Sequence, residues 1–219
     1  RMSEVAYGLK PKSLIEHGYG RLDRILEMAS RHPAYSSNPG SRKTVLLAPS
    51  WGVGSLIEDT CGTELIDLLL SGGHSTILRL HPMTLRRLPR LAGELLGRFG
   101  PHPLFRLETD MNAQDSLHES DIMISDWSGA ALEYAFGLER PVLFIDTPKK
   151  INNPEYEKIA STPLEVALRQ EIGAVVGVRD LGAVSERMRA LCADPGDWRR
   201  RMRQARSRWI YNIGTSGVV

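Results

Sequence analysis

Asp121-Ile-Met-Ile-Ser-Asp-Trp-Ser-Gly-Ala-Ala-Leu-Glu-Tyr-Ala135 is the stretch whose reading decides the fold. Ile122 to Ile124 is a short apolar run of the length and character of a buried parallel strand. A polar turn, Ser125 to Gly129, follows it, and a helical pattern begins at Ala130. Strand, Ser/Gly turn and helix in that order make an anion site. The first N–H groups of a helix have no intrahelical partner, and the helix dipole places partial positive charge there. Gly129 lets a phosphate approach the backbone closely, and Ser128 either caps the helix or donates its hydroxyl to that phosphate. Glu133 follows about one helical turn later. It either faces the same crevice and accepts hydrogen bonds from a ribose diol, or is a solvated helix residue.

Outward from this stretch the same alternation repeats. Thr44 to Ala48, Ser75 to Leu80, Leu104 to Leu107, Pro141 to Asp146 and Ala174 to Val178 are further strand-like runs, and they lack polar alternation. Between them lie helical patterns over 63–70, 85–99, 113–120, 130–136, 164–171 and 181–191. The spacing predicts a parallel sheet covered on both faces, an α/β doubly wound, Rossmann-like domain. No Gly-x-Gly-x-x-Gly follows the first strand, which weighs against a dinucleotide redox cofactor, and no Gly-x-x-x-x-Gly-Lys-Ser/Thr occurs.

Ligands bind at the carboxyl ends of strands in such sheets, so strand ends supply the other candidates. Ser50, Trp51 and Gly52 follow the first strand. His81, fixed by Pro82 at the end of the second, either donates to a phosphate oxygen or is a structural hydrogen-bonder. Lys149 and Lys150 leave the Pro141 to Asp146 strand, where lysines approach a phosphate or are simply solvated.

The chain has 219 residues, a net charge of +2, 42% hydrophobic and 25% charged residues, ordinary for a globular protein. That balance makes no case for nucleic acid. Cys61 and Cys192 are too few for a disulfide framework or a zinc site, and a reducing compartment is the default. No acidic cluster has metal-ligand spacing, so no metal is expected. No apolar run approaches the roughly 20 residues of a membrane-spanning helix, and no signal peptide is visible.

Composition divides the chain into residues 1–42, 43–196 and 197–219. The first part holds a helical pattern with Leu22, Ile25, Leu26 and Ala29 on one face, then a linker from Pro33 to Ser41. It reads as the end of a preceding domain. The second is the Rossmann-like body. The third carries Arg199, Arg200, Arg201, Arg203, Arg206 and Arg208 between Trp198 and Trp209. Such a segment suits an anionic membrane or polymer, or else packs by its tryptophans.

Four short motifs, in order, resemble the CDP-glycerol glycerophosphotransferase family, the teichoic-acid primases and polymerases. Gly18-Tyr-Gly-Arg-Leu-Asp23 is similar to its Gly-Tyr-Pro-Arg-x-Asp segment, with Gly20 where proline is usual. Ala48-Pro-Ser-Trp51 is similar to Ala-Pro-Thr-Trp, His81-Pro82 to His-Pro, and Ser125-Asp-Trp-Ser128 to Thr/Ser-Asp-Tyr-Ser. Pro141 to Phe144 also fits. Gly129 stands where the family has a second serine, and that Ser-Gly form with Glu133 also resembles UDP-N-acetylglucosamine 2-epimerases.

The resemblance implies the carboxyl-terminal, nucleotide-binding half of a GT-B transferase. It implies a donor site of Ser50, Trp51, Gly52, His81, Ser125, Asp126, Ser128, Gly129 and Glu133. His81 and Ser128 then contact the pyrophosphate, His81 is the catalytic group, and Glu133 holds the ribose. The reaction implied moves glycerophosphate or a similar polyol-phosphate from a CDP-linked donor to a hydroxyl of a polymer or lipid-linked acceptor, with no cofactor. The acceptor-activating base would lie in the amino-terminal domain. The expected location is cytoplasmic, peripheral on the inner face of the membrane. Two rivals stay open: a UDP-sugar glycosyltransferase or 2-epimerase domain, and a non-catalytic domain that binds nucleotide or polyanion.

Overall fold

The computed structural model describes residues 4, 7–13, 15–31, 42–110, 115–151, 156–158 and 162–218. Six strands form one parallel sheet: β1 Thr44–Leu47, β2 Ser75–Arg79, β3 Phe105–Glu108, β4 Ile122–Ser125, β5 Val142–Asp146 and β6 Gly173–Gly177. Their order is β3-β2-β1-β4-β5-β6. The chain therefore reverses its winding between β1 and β4, and a doubly wound sheet opens its binding crevice beyond the carboxyl ends of those two strands. Val45, Leu46 and Leu47 of β1 and all four residues of β4 are buried, which accounts for their apolar runs.

The helices begin with α1 Gly20–Arg31, α2 Gly62–Ser71, α3 Pro82–Arg87, α4 Pro89–Phe99 and α5 Asp115–Glu119. They continue with α6 Ala130–Leu138, α7 Leu164–Ala167, α8 Val184–Leu191 and α9 Pro195–Trp209. One helix is expected over 85–99, yet two are found. Leu88, at φ −125° and ψ 64°, breaks them apart. Pro89 is the cause: it has no N–H to continue the ladder and pushes the residue before it out of the helical region. Pro82 and Pro89 each sit in a first turn, where that missing N–H costs nothing. The helix expected over 164–171 ends at Ala167, and the one over 181–191 opens as a 3-10 turn before α8.

The sequence sets residues 1–42 apart, but α1 packs on the main body. Leu22 and Ile25 are buried, and α1 lies along α6. Gly137 makes that approach possible, since a Cβ there would stand 2.4 Å from Ile25 Cγ2. The stretch read as a linker, Pro33 to Ser41, lies outside the described residues.

The arginine-rich segment is helix α9, and it docks by Trp198, Met202 and Ala205. Asp194 caps it by accepting from the Asp197 N–H at 2.9 Å. Its charges are matched locally: Arg203 and Arg206 pair with Glu139, Arg208 with Glu171 and Arg200 with Asp197. The Arg201 guanidinium lies 4.1 Å from the centre of the Trp198 ring. Among the described residues, no helix is long and apolar enough to cross a membrane.

Candidate active-site cleft

The β1 and β4 ends are tied together before they offer anything to a ligand. Ser125 donates its hydroxyl to the Ala48 carbonyl at 2.7 Å. The Asp126 carboxylate accepts from the Ser50 N–H at 2.6 Å, the Ser50 hydroxyl at 2.7 Å and the Leu56 N–H at 2.9 Å. Ser125 is 0% and Asp126 1% exposed. Three of the residues expected to touch a donor, Ser50, Ser125 and Asp126, are thus turned inward and hold the loop that follows β1. A buried carboxylate is tolerated only with donors on its oxygens, and here each oxygen has at least one.

Beyond this clasp lies a cleft of about 300 Å³ at the switch point. Arg79, His81 and Pro82 line one side, and Ser128, Gly129, Ala130 and Glu133 line another. Ser128, Gly129 and the α6 start therefore face the space that the sequence assigns to an anion. Gly129, not Ser128, is the N-cap of α6 and gives it no side-chain cap; the Ser128 hydroxyl only accepts a long bond from the Ala130 N–H at 3.4 Å.

His81 follows β2 and caps α3, its Nδ1 accepting from the Met83 N–H at 3.1 Å. With Nδ1 an acceptor, the neutral ring carries its proton on Nε2 and is a donor there. Burial holds His81 below the usual histidine value; Lys150 adds to that, and Glu58 opposes it. A neutral donor at pH 7 follows.

Neither Gly52 nor Trp51, both expected at the donor site, lines this cleft, and Trp51 stands beside His81. Its ring centroid is 6.0 Å from that of His81, and the Arg87 guanidinium lies 5.4 Å from its centre. Lys150 donates to the Trp51 carbonyl. The loop is pinned beneath by Glu58, which accepts from the Gly52 N–H at 3.0 Å and the Thr84 hydroxyl at 2.6 Å. Gly52 turns there with φ +87°, a conformation that L side chains rarely adopt.

Glu133 reaches the cleft with partners the sequence did not suggest. Tyr19 donates its hydroxyl to Oε1, and Arg21 Nε donates to Oε2 at 2.7 Å. The Glu133 side chain is only 12% exposed, whereas that of Arg21 is 52% exposed. Partial burial and the bond to Glu133 push the Tyr19 phenol up to about 12, so it stays a donor at neutral pH. Tyr19, Arg21, Glu58 and Arg79 are the residues that sequence reading passed over. A signal existed for Arg79, a charge at the end of an otherwise apolar strand; for Tyr19 and Arg21 it was only their place in the Gly18 to Asp23 motif.

No curated protein sequence matches the chain. Among solved structures it is similar to the wall teichoic acid polymerase TagF, at 16% identity and a TM-score of 0.49, over 92% of this chain and 46% of that one. It is also similar to a UDP-GlcNAc 2-epimerase of Methanocaldococcus jannaschii in complex with UDP-GlcNAc and UDP, at 14% identity and a TM-score of 0.52, over 92% and 56%. The second likeness agrees with a Rossmann-like fold and extends no further. The chain spans about half the length of these structures. The sequence matches, over residues 1–151, the family described as CDP-Glycerol:Poly(glycerophosphate) glycerophosphotransferase, and the chain belongs to that family.

Proposed function

We propose that this chain is the donor-binding domain, the carboxyl-terminal half of a GT-B enzyme, that moves a glycerophosphate or similar polyol-phosphate unit from a CDP-linked donor to a hydroxyl of a polymer or lipid-linked acceptor. The observation that carries this is the meeting of His81 and the Ser128–Gly129 turn before α6 on one cleft, in a chain of this family. The acceptor oxygen attacks the phosphorus of the polyol-phosphate, and the bond from that phosphorus to the CMP phosphate breaks. The hydroxyl proton leaves to a base outside this domain. Negative charge gathers on the departing CMP phosphate. His81 Nε2–H and the Ser128 and Gly129 amides are donors fixed in advance on that charge, which lowers the barrier without reorganisation. Trp51 and the Gly52 loop stand beside His81, and Ser50, Ser125 and Asp126 keep the turns in place rather than touching the donor.

Calorimetry with CDP and UDP tests this. Tighter binding of CDP is expected. Preference for UDP would favour a sugar transferase or a 2-epimerase. Polyanion binding that depends on residues 197–219, with no nucleotide binding, would favour a non-catalytic scaffold. The internally matched arginines of α9 give little support to a peripheral membrane role. Co-sedimentation with anionic vesicles that rises with anionic lipid and falls with salt would restore it.

A further inference from the structure

Glu133 is held by residues distant in the sequence. Tyr19 and Arg21 stand 114 and 112 positions away from it and occupy one carboxylate oxygen each. A carboxylate offers about four lone-pair positions, so two hydroxyls of a ligand can still be accepted. Arg21 is about half exposed, and an ion pair in that setting contributes little to stability. Fixing the direction of the Glu133 oxygens is the larger effect available to it.

The segment that supplies Tyr19 and Arg21 is in turn latched by the segment 212–216. Asp23 accepts from the Gly214 N–H at 2.7 Å, the Ser216 N–H at 2.9 Å and the Ser216 hydroxyl. Asn212 donates to the Glu16 carbonyl at 2.7 Å. Gly18 lies so close that a Cβ there would stand 2.3 Å from Ser216 Cβ. That segment therefore sets where residues 18–23 lie, and they set where the Glu133 oxygens point.

We propose that Tyr19 and Arg21 are positioning residues for Glu133, and that the segment 212–216, through Ser216 and Asp23, holds them in place, so that these two distant segments together set the cleft's selectivity for a ribonucleotide. This rests on the donor-binding reading above. The test is calorimetry of the chain with CDP and with 2′-deoxy-CDP. The wild type is expected to bind CDP at least about tenfold tighter, the worth of one hydrogen bond to a charged acceptor. Tyr19→Phe and Arg21→Ala should shrink that ratio towards one, Ser216→Ala should shrink it partly, and Ser216→Thr should retain it. A purely structural latch would lower the melting temperature and leave the ratio intact. A ratio unchanged in Tyr19→Phe and Arg21→Ala overturns the proposal while the donor-binding reading stands. A Ser216→Ala ratio equal to wild type removes the segment 212–216 from it. A wild type that binds neither nucleotide defeats both, and one that binds both equally removes Glu133 from the ribose.

Discussion

The cleft has two polar anchors, each a carboxylate met by distant donors, and they differ in burial. Asp126 lies 76 residues from Ser50 and 70 from Leu56, is 1% exposed, and accepts from two backbone N–H groups and a hydroxyl. Glu133 accepts from Tyr19 and from an Arg21 that stands half in solvent. Removing the first leaves buried donors with nothing to bond, which costs their full desolvation. Removing the second returns its partners largely to water. The contrast predicts an effect on folding at the first anchor and, under the proposed donor site, an effect on binding at the second.

The sharpest way to break that contrast is Asp126→Ala. The Ser50 and Leu56 amides would be left buried and unpaired, so a loss of about 3–5 kcal/mol is expected in denaturant unfolding. A loss below about 1 kcal/mol would mean that water replaces the carboxylate and that the clasp is not structural.

His81→Ala comes next. In the intact transferase kcat should fall about 10²–10³-fold, with a much smaller change in donor KM, because the lost donor acts on charge that develops in the transition state. The imidazole should titrate below the ordinary histidine value, since burial and Lys150 both disfavour its charged form. NMR-monitored titration checks this directly. An unchanged kcat would make His81 a cap for α3 and nothing more.

Glu133→Ala should weaken ribonucleotide binding by roughly 1.5–3 kcal/mol. The unfolding midpoint should barely move. A variant that melts early but binds normally would make the two anchors alike.

The smallest effect is expected at Gly20, the first residue of α1, where the family has proline. Tyr19 begins the helix by accepting from the Leu22 and Asp23 N–H groups, so Gly20 needs no N–H of its own. A Cβ at Gly20 would meet Ser216 Oγ at an ordinary 3.5 Å. Gly20→Pro should stabilise by about 0.4–1 kcal/mol through the unfolded chain and sharpen the hold on Glu133. Destabilisation in a thermal melt would show that the backbone there is not that of a first helical turn.

Strand, turn and helix were legible in the sequence because each is a local property. Apolar runs such as Ile122 to Ile124 bury on both faces, Gly129 and Pro82 punctuate the chain, and one order of such pieces fits a doubly wound sheet. The placement of His81 and Ser128 beyond strand carboxyl ends followed from that order, whereas which strands are neighbours did not. The break at Leu88 was also written there, in Pro89. Polar side chains in turns carry no period, so nothing in Ser125-Asp-Trp-Ser128 says which of them turn inward. Only the tertiary structure decided that Ser125 and Asp126 face the core, that α9 matches its arginines against Glu139 and Glu171, and that Tyr19 and Arg21 meet Glu133. The physical reason is that a hydrogen bond between residues 37 to 114 positions apart exists only where packing brings both groups within reach of each other.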